Sequence, residues 1–317
     1  MTTRIAVLDD YQNVALRSAD WSPLADRAEV TVFNEHLGDA AKVIDALQPF
    51  DVVVAMRERT PFPAEVLTAL PRLKLLITTG MGNASIDIAA ATERGITVCG
   101  TRGLLSPTSE LAWGLIHCLA RNIPGEDQAL RSGRWQTSVG IELAGRTLGI
   151  LGLGPLGQRM ARVALAFDMQ VVAWSQNLTA EAAGEHGVTR VDKDELFTRS
   201  DILTIHMRLS DRTRGLVTAR ELALMKPTAY LVNTSRGPVV DDAALVDALT
   251  SGTIAGAGID VYDVEPLPAD HPLRTAPNTV LTPHIGYVAQ DTYRIFFTEI
   301  VEDIAQWLDE SPVRTLG

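Results

Sequence analysis

The sequence predicts an α/β protein with two doubly wound, parallel-sheet domains. Its 317 residues exceed what one hydrophobic core usually accommodates, which favours two domains over one. Short β-branched runs, among them RIAVL, DVVVAM and LKLLITT, alternate with longer segments rich in Ala and Leu, which is the rhythm of repeated βαβ units. A glycine-rich turn, GLGPLG, lies between a strand-like and a helix-like segment near the middle of the chain and begins a second series of the same kind.

The first domain is predicted from five strand-like segments: RIAVLDD, VTVF, DVVVAM, LKLLITTG and ITVCG. Helix-like segments such as Asp39 to Leu47 separate them. Strands that are apolar along their whole length are typical of a parallel sheet covered on both faces. The next segment, Pro107 to Arg121, begins with a proline and keeps helical spacing throughout, so it predicts a long helix leading out of this domain.

The second domain is predicted from six further strand candidates, RTLGILGLG, MQVVAWS, DILTIHM, AYLVNTS, TIAGAGIDVY and TVLTPHIGY. This number is a full dinucleotide-binding set, so each domain is expected to be Rossmann-like or flavodoxin-like, with an interdomain cleft. A last helix-like stretch, Asp291 to Leu308, has no strand after it and is expected to return to the first domain. The predicted boundaries are 1–105 plus 289–317 for the first domain and 106–288 for the second.

Charge and cysteine content exclude several classes of partner. A formal net charge of -11 argues against nucleic acid and anionic membranes, whose affinity depends on Lys and Arg. A small anionic ligand is still compatible with this net charge, because the local charge of a cleft can differ from the net charge of the protein. Cys99 and Cys118 form no CxxC pair and lie near no metal-site pattern, so both are predicted to be buried thiols with no metal. No signal-peptide pattern or apolar span of membrane length occurs, which predicts a cytoplasmic protein without a membrane partner.

The glycine-rich turn predicts a dinucleotide diphosphate site. Gly152 permits the tight turn, Gly154 allows the diphosphate to approach the backbone, and Gly157 allows the helix to pack on the strand. Pro155 has no N–H, so the donors that remain are those of Leu156 and Gly157. The turn would also suit a glycine cluster with no ligand, but its position between a strand and a helix favours a cofactor.

The residue expected to contact the adenosine ribose is not acidic. NAD-binding sites usually have an Asp or Glu about twenty residues after the turn, whereas here the segment MQVVAWS ends in Ser175. No Arg follows in Gln176 to Thr179 to attract a 2′-phosphate. The sequence therefore predicts NAD or NADP as cofactor and leaves the choice open.

Four segments, TTGMGNASID, NTSRG, GIDVYDVEP and TPHIG, give the sequence a resemblance to a known family. The chain resembles the D-isomer-specific 2-hydroxyacid dehydrogenases, the group that includes phosphoglycerate, glycerate and formate dehydrogenases. The likeness covers almost the full length. It implies that the first domain binds substrate, that the second binds NAD(P), and that hydride moves between the cofactor and C2 of a small 2-oxo or 2-hydroxy acid. It also implies a homodimer, because RSGRWQ resembles a loop often found at the dimer contact, although Trp135 is equally well explained as a core residue.

The resemblance implies three catalytic residues. Arg236 in NTSRG would hold a carboxylate and polarise the adjacent ketone, for which the paired donors of a guanidinium are suited. Glu265 would orient His284, and His is the side chain that donates protons near neutral pH. Taken singly, each has an ordinary structural explanation: a surface ion pair for Arg236, a turn residue for Glu265 and a loop residue for His284.

The remaining predicted site residues fall into two groups. In the first domain, successive backbone N–H groups would bind the substrate carboxylate at Gly80, Met81 and Gly82, and Arg57 would line the pocket or lie on the surface. In the second domain, the resemblance places near the cofactor Thr108, Thr234, Ser235, Asp260 and Gly286, with His206, Met207 and Arg208 on the adenine side.

The sequence departs from the family pattern at one position, and two alternatives in function stay open. Where the family usually has a Pro two residues after His206, this chain has Arg208, which is predicted to meet a 2′-phosphate. The alternatives in function are a catalytically silent, dinucleotide-sensing binding protein and a formate- or phosphite-type dehydrogenase. The sequence does not decide the substrate side chain, the direction of the reaction or the oligomeric state beyond a dimer.

Overall fold

The structure is a computed structural model that describes residues 2–317 and consists of two compact units. Unit 1 comprises the chain up to Leu104 together with Val288–Gly317, and unit 2 comprises Leu105–Tyr287. These boundaries differ by one residue from those predicted.

Unit 1 contains a five-stranded, wholly parallel sheet in the order β2-β1-β3-β4-β5. Its strands are β1 Thr3–Val7, β2 Ala28–Val32, β3 Val52–Ala55, β4 Leu75–Thr78 and β5 Thr97–Gly100. Its first helices are α1 Ala40–Leu47, α2 Ala64–Thr68 and α3 Ile88–Glu93. Every residue of β3 and β4 is buried, as expected for apolar strands inside a sheet with both faces covered. The order is flavodoxin-like, and its switch point lies between β1 and β3.

Unit 2 contains a seven-stranded parallel sheet in the order β12-β11-β10-β9-β6-β7-β8. The helices are α4 Ser106–Arg121, α5 Ile123–Arg131, α6 Pro155–Ala166, α7 Ala180–Gly184, α8 Lys193–Arg199, α9 Ala219–Leu224 and α10 Asp242–Thr250. The strands are β6 Thr147–Leu151, β7 Gln170–Trp174, β8 Thr189–Arg190, β9 Ile202–Ile205, β10 Tyr230–Asn233, β11 Gly256–Ile259 and β12 Thr279–Leu281. This is the Rossmann order with one added strand, and its switch point lies between β6 and β9.

The last helix, α11 Gln290–Leu308, belongs to unit 1 as predicted and packs near β4. Phe297, Ile300 and Ile304 are fully buried along its inner face. The chain beyond α11 pairs with β5, because Leu316 donates its N–H to the Val98 carbonyl over 2.8 Å. The C-terminal residues thereby cover a sheet edge that would otherwise present unpaired backbone groups.

Two predictions about individual residues are corrected by burial. Cys99 is buried, which raises its thiol pKa to about 12, but Cys118 is only half-buried and not the buried thiol that was predicted. Trp135 is 76% exposed, so its interpretation as a core residue is wrong. Within residues 2–317, no helix is long and apolar enough to cross a membrane, and no cluster of His, Cys, Asp and Glu could hold a metal ion.

Candidate active site

The predicted cofactor and catalytic residues of unit 2 follow the carboxyl ends of its strands. The glycine-rich turn follows β6, Ser175 follows β7, and His206 follows β9. The next three strands lead to Arg236, Asp260 and His284 in turn. Ligands of open α/β sheets bind at this edge beside the switch point, so the fold gathers these residues where a dinucleotide is expected.

The glycine turn has no room for a side chain at Gly152 or Gly157, whereas a Cβ at Gly154 would meet no atom within 4 Å. Gly152 has a φ of +103°, and a Cβ there would lie 2.6 Å from the His206 carbonyl oxygen. A Cβ at Gly157 would lie 2.2 Å from the Gly152 carbonyl oxygen, so the start of α6 is pressed against the turn. Pro155 is the first residue of α6, and the N–H groups of Leu156 and Gly157 follow it in the first turn, where helical N–H groups lack partners within the helix. The turn therefore presents donors and a helix N-terminus to an anion.

A cavity of about 390 Å³ lies beside the turn. Its lining residues are Leu153, Gly154, Ser175, Gln176, Asn177, Leu178, Met207, Ser210, Arg212 and Thr213. The sequence predicted Gly154, Ser175 and Met207 for this region, but the arginine that lines the cavity is Arg212 and not Arg208.

Two buried polar atoms beside these elements have no partner within residues 2–317. They are the hydroxyl oxygen of Thr234 and Nδ1 of His206. Burial lowers the His206 pKa to about 4, so this ring is neutral at physiological pH and does not serve as a second proton donor. Unsatisfied buried polar atoms point to an absent binding partner, and together with the glycine turn they fit a dinucleotide cofactor.

The loop that carries Arg236 is held in place from several sides. The Asn233 side chain accepts a hydrogen bond from the Ser235 N–H and donates one to the Arg236 carbonyl, both over 3.0 Å. The Ser235 hydroxyl donates to the carbonyl of Met207. A Cβ on Gly237 would lie 2.1 Å from the Tyr262 backbone, so the glycine of NTSRG lets this loop pack against the loop after β11. Half-buried Arg236 is therefore presented by a rigid backbone.

Glu265 and His284 form a close pair. His284 Nδ1 lies 2.6 Å from a Glu265 carboxylate oxygen, and the other carboxylate oxygen accepts the Tyr262 backbone N–H over 2.9 Å. Both side chains are mostly buried, with 16% of His284 and 25% of Glu265 exposed. Because Nδ1 is engaged, the ring nitrogen left to exchange a proton with a ligand is Nε2, which hydrogen-bonds to nothing within residues 2–317.

Buried Asp260 fixes the backbone on both sides of His284. One carboxylate oxygen accepts the Thr282 hydroxyl over 2.6 Å and the Ile285 N–H over 2.8 Å, and the other accepts the Gly286 N–H over 2.9 Å. Burial raises the Asp260 pKa, although these three donors favour the anion. The Gly286 carbonyl in turn accepts the Thr108 hydroxyl over 3.0 Å, which brings two predicted cofactor-side residues together.

Replacing Asp260 tests this support. Asp260→Asn should lower the free energy of unfolding by about 1–3 kcal/mol, because its amide group would face a buried N–H that then loses its acceptor. Tyr262→Phe removes the hydroxyl that donates to the Thr282 carbonyl over 2.9 Å and to the Ile259 carbonyl over 3.2 Å, and should cost about 1 kcal/mol. Urea unfolding of the two variants measures both effects, and an Asp260→Asn variant as stable as the natural protein would contradict the role given to the carboxylate.

In unit 1, the predicted carboxylate-binding loop follows β4. Gly80 has a φ of +89°, and its N–H already donates to the Thr101 hydroxyl over 3.0 Å. The N–H groups of Met81 and Gly82 make no hydrogen bond within residues 2–317. Of the three predicted backbone donors, these two are the ones free to hold an anion.

Arg57 lies against the same loop. Its guanidinium donates to the Thr79 carbonyl over 2.9 Å, and a Cβ on Gly80 would lie 1.8 Å from the guanidinium. With φ at +53° and 23% of its side chain exposed, Arg57 has a fixed and half-buried position. Arg57 therefore contacts the backbone of the predicted carboxylate-binding loop and is partly shielded from solvent.

Sequence reasoning missed several residues near these groups. Arg212 lines the cavity, the Tyr262 backbone holds Glu265, and Thr101 occupies one predicted donor. At the switch point of unit 1, the Arg59 guanidinium lies 4.8 Å from the Tyr11 ring centroid. A sequence signal existed only for the last pair, because both residues closely follow predicted strands whose carboxyl ends share one edge.

The fold and the site of unit 2 together define a class. A Rossmann-order sheet with a glycine turn is typical of dinucleotide binding, and the Glu265–His284 pair and the loop that carries Arg236 lie at the same edge of this sheet. These are the parts of an NAD(P)-dependent oxidoreductase.

Comparisons with known proteins agree. Residues 113–286 match the family model described as D-isomer specific 2-hydroxyacid dehydrogenase, NAD binding domain. The chain is 41% identical over 238 residues to a glyoxylate reductase from Aeropyrum pernix, covering 72% of this chain and 71% of that protein. It is 36% identical over 287 residues to a hydroxypyruvate reductase from Thermotoga maritima, covering 89% of this chain and 92% of that protein. A crystal structure of phosphoglycerate oxidoreductase from Vibrio cholerae o395 superposes with a TM-score of 0.92 at 38% identity, covering 98% of this chain and all of that one.

The chain belongs to the D-isomer specific 2-hydroxyacid dehydrogenase family. The resemblance, the two parallel-sheet α/β domains, the oxidoreductase class and the use of NAD(P) are thereby confirmed. Family membership favours the enzyme over the dinucleotide-sensing alternative.

Proposed function

We propose that the protein reduces a small 2-oxo acid at C2 to the D-2-hydroxy acid with NAD(P)H, and catalyses the reverse oxidation. The observation that carries this proposal is the 2.6 Å pairing of His284 Nδ1 with Glu265, which leaves Nε2 able to exchange a proton at the cofactor edge of the sheet. A binding protein has no evident need for such a pair, whereas carbonyl reduction requires a proton donor.

Each catalytic side chain has a distinct part in this proposal. Bound NAD(P)H supplies the hydride that reaches C2. Arg236 binds the substrate carboxylate and polarises the neighbouring carbonyl with its paired donors, which stabilises the negative charge that develops on oxygen. His284 gives its Nε2 proton to that oxygen, and Glu265 holds the ring and stabilises the imidazolium before transfer.

The surrounding residues would hold the two ligands. The N–H groups of Leu156 and Gly157 would meet the diphosphate at the helix N-terminus. Thr234 offers its unpaired hydroxyl, while Thr108, Ser235, Asp260 and Gly286 act through the loops that they fix. For the substrate, we propose that the carboxylate is bound by the N–H groups of Met81 and Gly82, with Arg57 beside them.

A reductase screen tests this function. Glyoxylate, hydroxypyruvate, pyruvate and bulkier 2-oxo acids would each be assayed with NADH and NADPH, with formate and phosphite oxidation run as separate arms. We expect turnover of at least one 2-oxo acid. Dinucleotide binding without turnover of any acid would favour the sensing alternative, and turnover of formate or phosphite alone would favour the third.

We also propose that the protein is a homodimer, with the segment 130–140 at the interface. Leu130, Trp135 and Val139 are 58%, 76% and 99% exposed. The segment is tied to α5, because the Glu126 carboxylate accepts hydrogen bonds from the Thr137 N–H, the Thr137 hydroxyl and the Ser138 hydroxyl. Several large apolar side chains exposed on one segment mark an interaction surface.

Oligomeric state is the corresponding measurement. Light scattering after size exclusion should give a dimer for the natural protein and a monomer for the double variant Trp135→Ser, Val139→Ser, with Ser132→Ala as a dimeric control from the same segment. A natural protein that is monomeric at micromolar concentration would contradict this assignment.

A further inference from the structure

We propose that the cavity beside Ser175 is a 2′-phosphate subsite in which Arg212 binds the phosphate, so that the protein prefers NADP(H) to NAD(H). This inference rests on the proposed function only in requiring that a nicotinamide dinucleotide binds at the glycine turn. It assigns a cofactor preference that the sequence leaves open, and it moves the cationic contact from Arg208 to Arg212.

The residues that line the cavity include a positive charge and no negative one. Of the ten residues that line the cavity, none is acidic and one, Arg212, is cationic. An acid at the end of the second strand favours NAD because it binds the ribose hydroxyls and repels a 2′-phosphate. Ser175 occupies that place here, so the repulsion is absent. The neighbouring acid, Asp211, does not line the cavity.

Several side chains at the cavity have hydrogen-bond donors that are not used within residues 2–317. The Ser175 oxygen accepts the Leu153 N–H over 3.4 Å, so its own hydroxyl proton remains available. The amide side chains of Gln176 and Asn177 make no hydrogen bond within residues 2–317. Three neutral side chains can therefore donate into a cavity that holds one guanidinium, a set that suits an anion with several acceptor oxygens.

Arg212 has no carboxylate partner within residues 2–317. Its side chain is exposed and forms no ion pair within residues 2–317, whereas Arg190 and Arg220 on neighbouring elements are paired with carboxylates. A guanidinium without a carboxylate partner can bind phosphate without first breaking an ion pair, and its fork geometry matches two phosphate oxygens.

NAD would lack a usual contact in this cavity. Its ribose hydroxyls would meet only neutral side chains, where an acid usually accepts hydrogen bonds from both hydroxyls. A 2′-phosphate would add a charge-assisted contact to Arg212. We therefore expect this cavity to bind NAD more weakly and NADP more tightly than a cavity with Asp or Glu in place of Ser175.

Calorimetric titration with fragments that lack nicotinamide tests the subsite without catalysis. The natural protein should bind 2′-phospho-ADP-ribose at least about tenfold more tightly than ADP-ribose, which corresponds to one charge-assisted hydrogen bond. Arg212→Ala should lose about tenfold for the phosphorylated fragment and much less for ADP-ribose. Ser175→Asp should reverse the preference, because the added carboxylate repels the phosphate and accepts the ribose hydroxyls.

Two further arginine variants make the test specific. Arg146→Ala removes the same charge at the amino end of β6, the opposite edge of the sheet, and should leave both affinities unchanged. Arg208→Ala examines the residue favoured by the sequence. Equal binding of the two fragments, or a loss at Arg208 with none at Arg212, would overturn the assignment. Failure of both fragments and both dinucleotides to bind would instead overturn the proposed function.

Discussion

Arg236→Ala should lower kcat/KM for 2-oxo acid reduction by about 10²- to 10³-fold, the usual cost of losing a group that stabilises a developing oxyanion. Arg236→Lys should restore little, because an ammonium group lacks the paired, planar donors that hold a carboxylate and an adjacent carbonyl together. The Asn233 side chain fixes the Arg236 backbone independently of the guanidinium, so the loop should keep its conformation in both variants.

Steady-state kinetics with the best acid from the screen measures this effect, and dinucleotide affinity is the control. We expect that affinity to stay within about twofold of the natural protein, because the glycine turn and the cavity beside it do not include Arg236. An Arg236→Ala variant with nearly full kcat/KM would show that another group polarises the carbonyl.

His284→Phe should reduce kcat for reduction by about 10²- to 10⁴-fold, the range for a missing general acid. Glu265→Gln should have a subtler signature. The amide can still hydrogen-bond His284 Nδ1, but it brings no negative charge to the 2.6 Å contact. We therefore expect kcat for reduction to fall, but by less than in His284→Phe, because the proton donor itself remains in place.

A pH–rate profile from about pH 5 to 9 separates these outcomes. His206 does not complicate the profile, because burial holds its pKa at about 4 and it remains neutral over most of this range. A profile for Glu265→Gln that coincides with that of the natural protein would contradict the role of the carboxylate. A profile for His284→Phe that keeps the same shape and height would remove the histidine from the mechanism.

The sheets could be predicted because their strands are buried on both faces and therefore apolar throughout. β3 and β4 are the clearest cases, with every residue buried. β8 escaped prediction because two residues, Thr189 and Arg190, are both exposed and too few to show a period. Trp135 was ambiguous for a different reason, because an aromatic side chain is equally common in a core and at an interface, and only its exposure decides.

The candidate site was likewise predictable in part. Sequence motifs indicated the glycine turn, Arg236, Glu265 and His284, because each follows a strand and carries chemistry that few other residues supply. Contacts between distant segments had no such signal. Thr101 takes the Gly80 N–H from 21 residues away, and the loop 208–213 turns so that Arg212 and not Arg208 lines the cavity. Those facts depend on loop geometry, which local sequence does not determine.

Isotope transfer is the most direct test of hydride delivery to C2. Hydroxypyruvate, or another 2-oxo acid with a chiral product that the screen favours, would be reduced with NADPH or NADH deuterated at C4 of the nicotinamide on one face and then on the other. The account predicts that the cofactor deuterated on one of the two faces places deuterium at C2 of a product that is wholly the D-isomer. Product without deuterium from either cofactor, or a racemic or L-configured hydroxy acid, would contradict it.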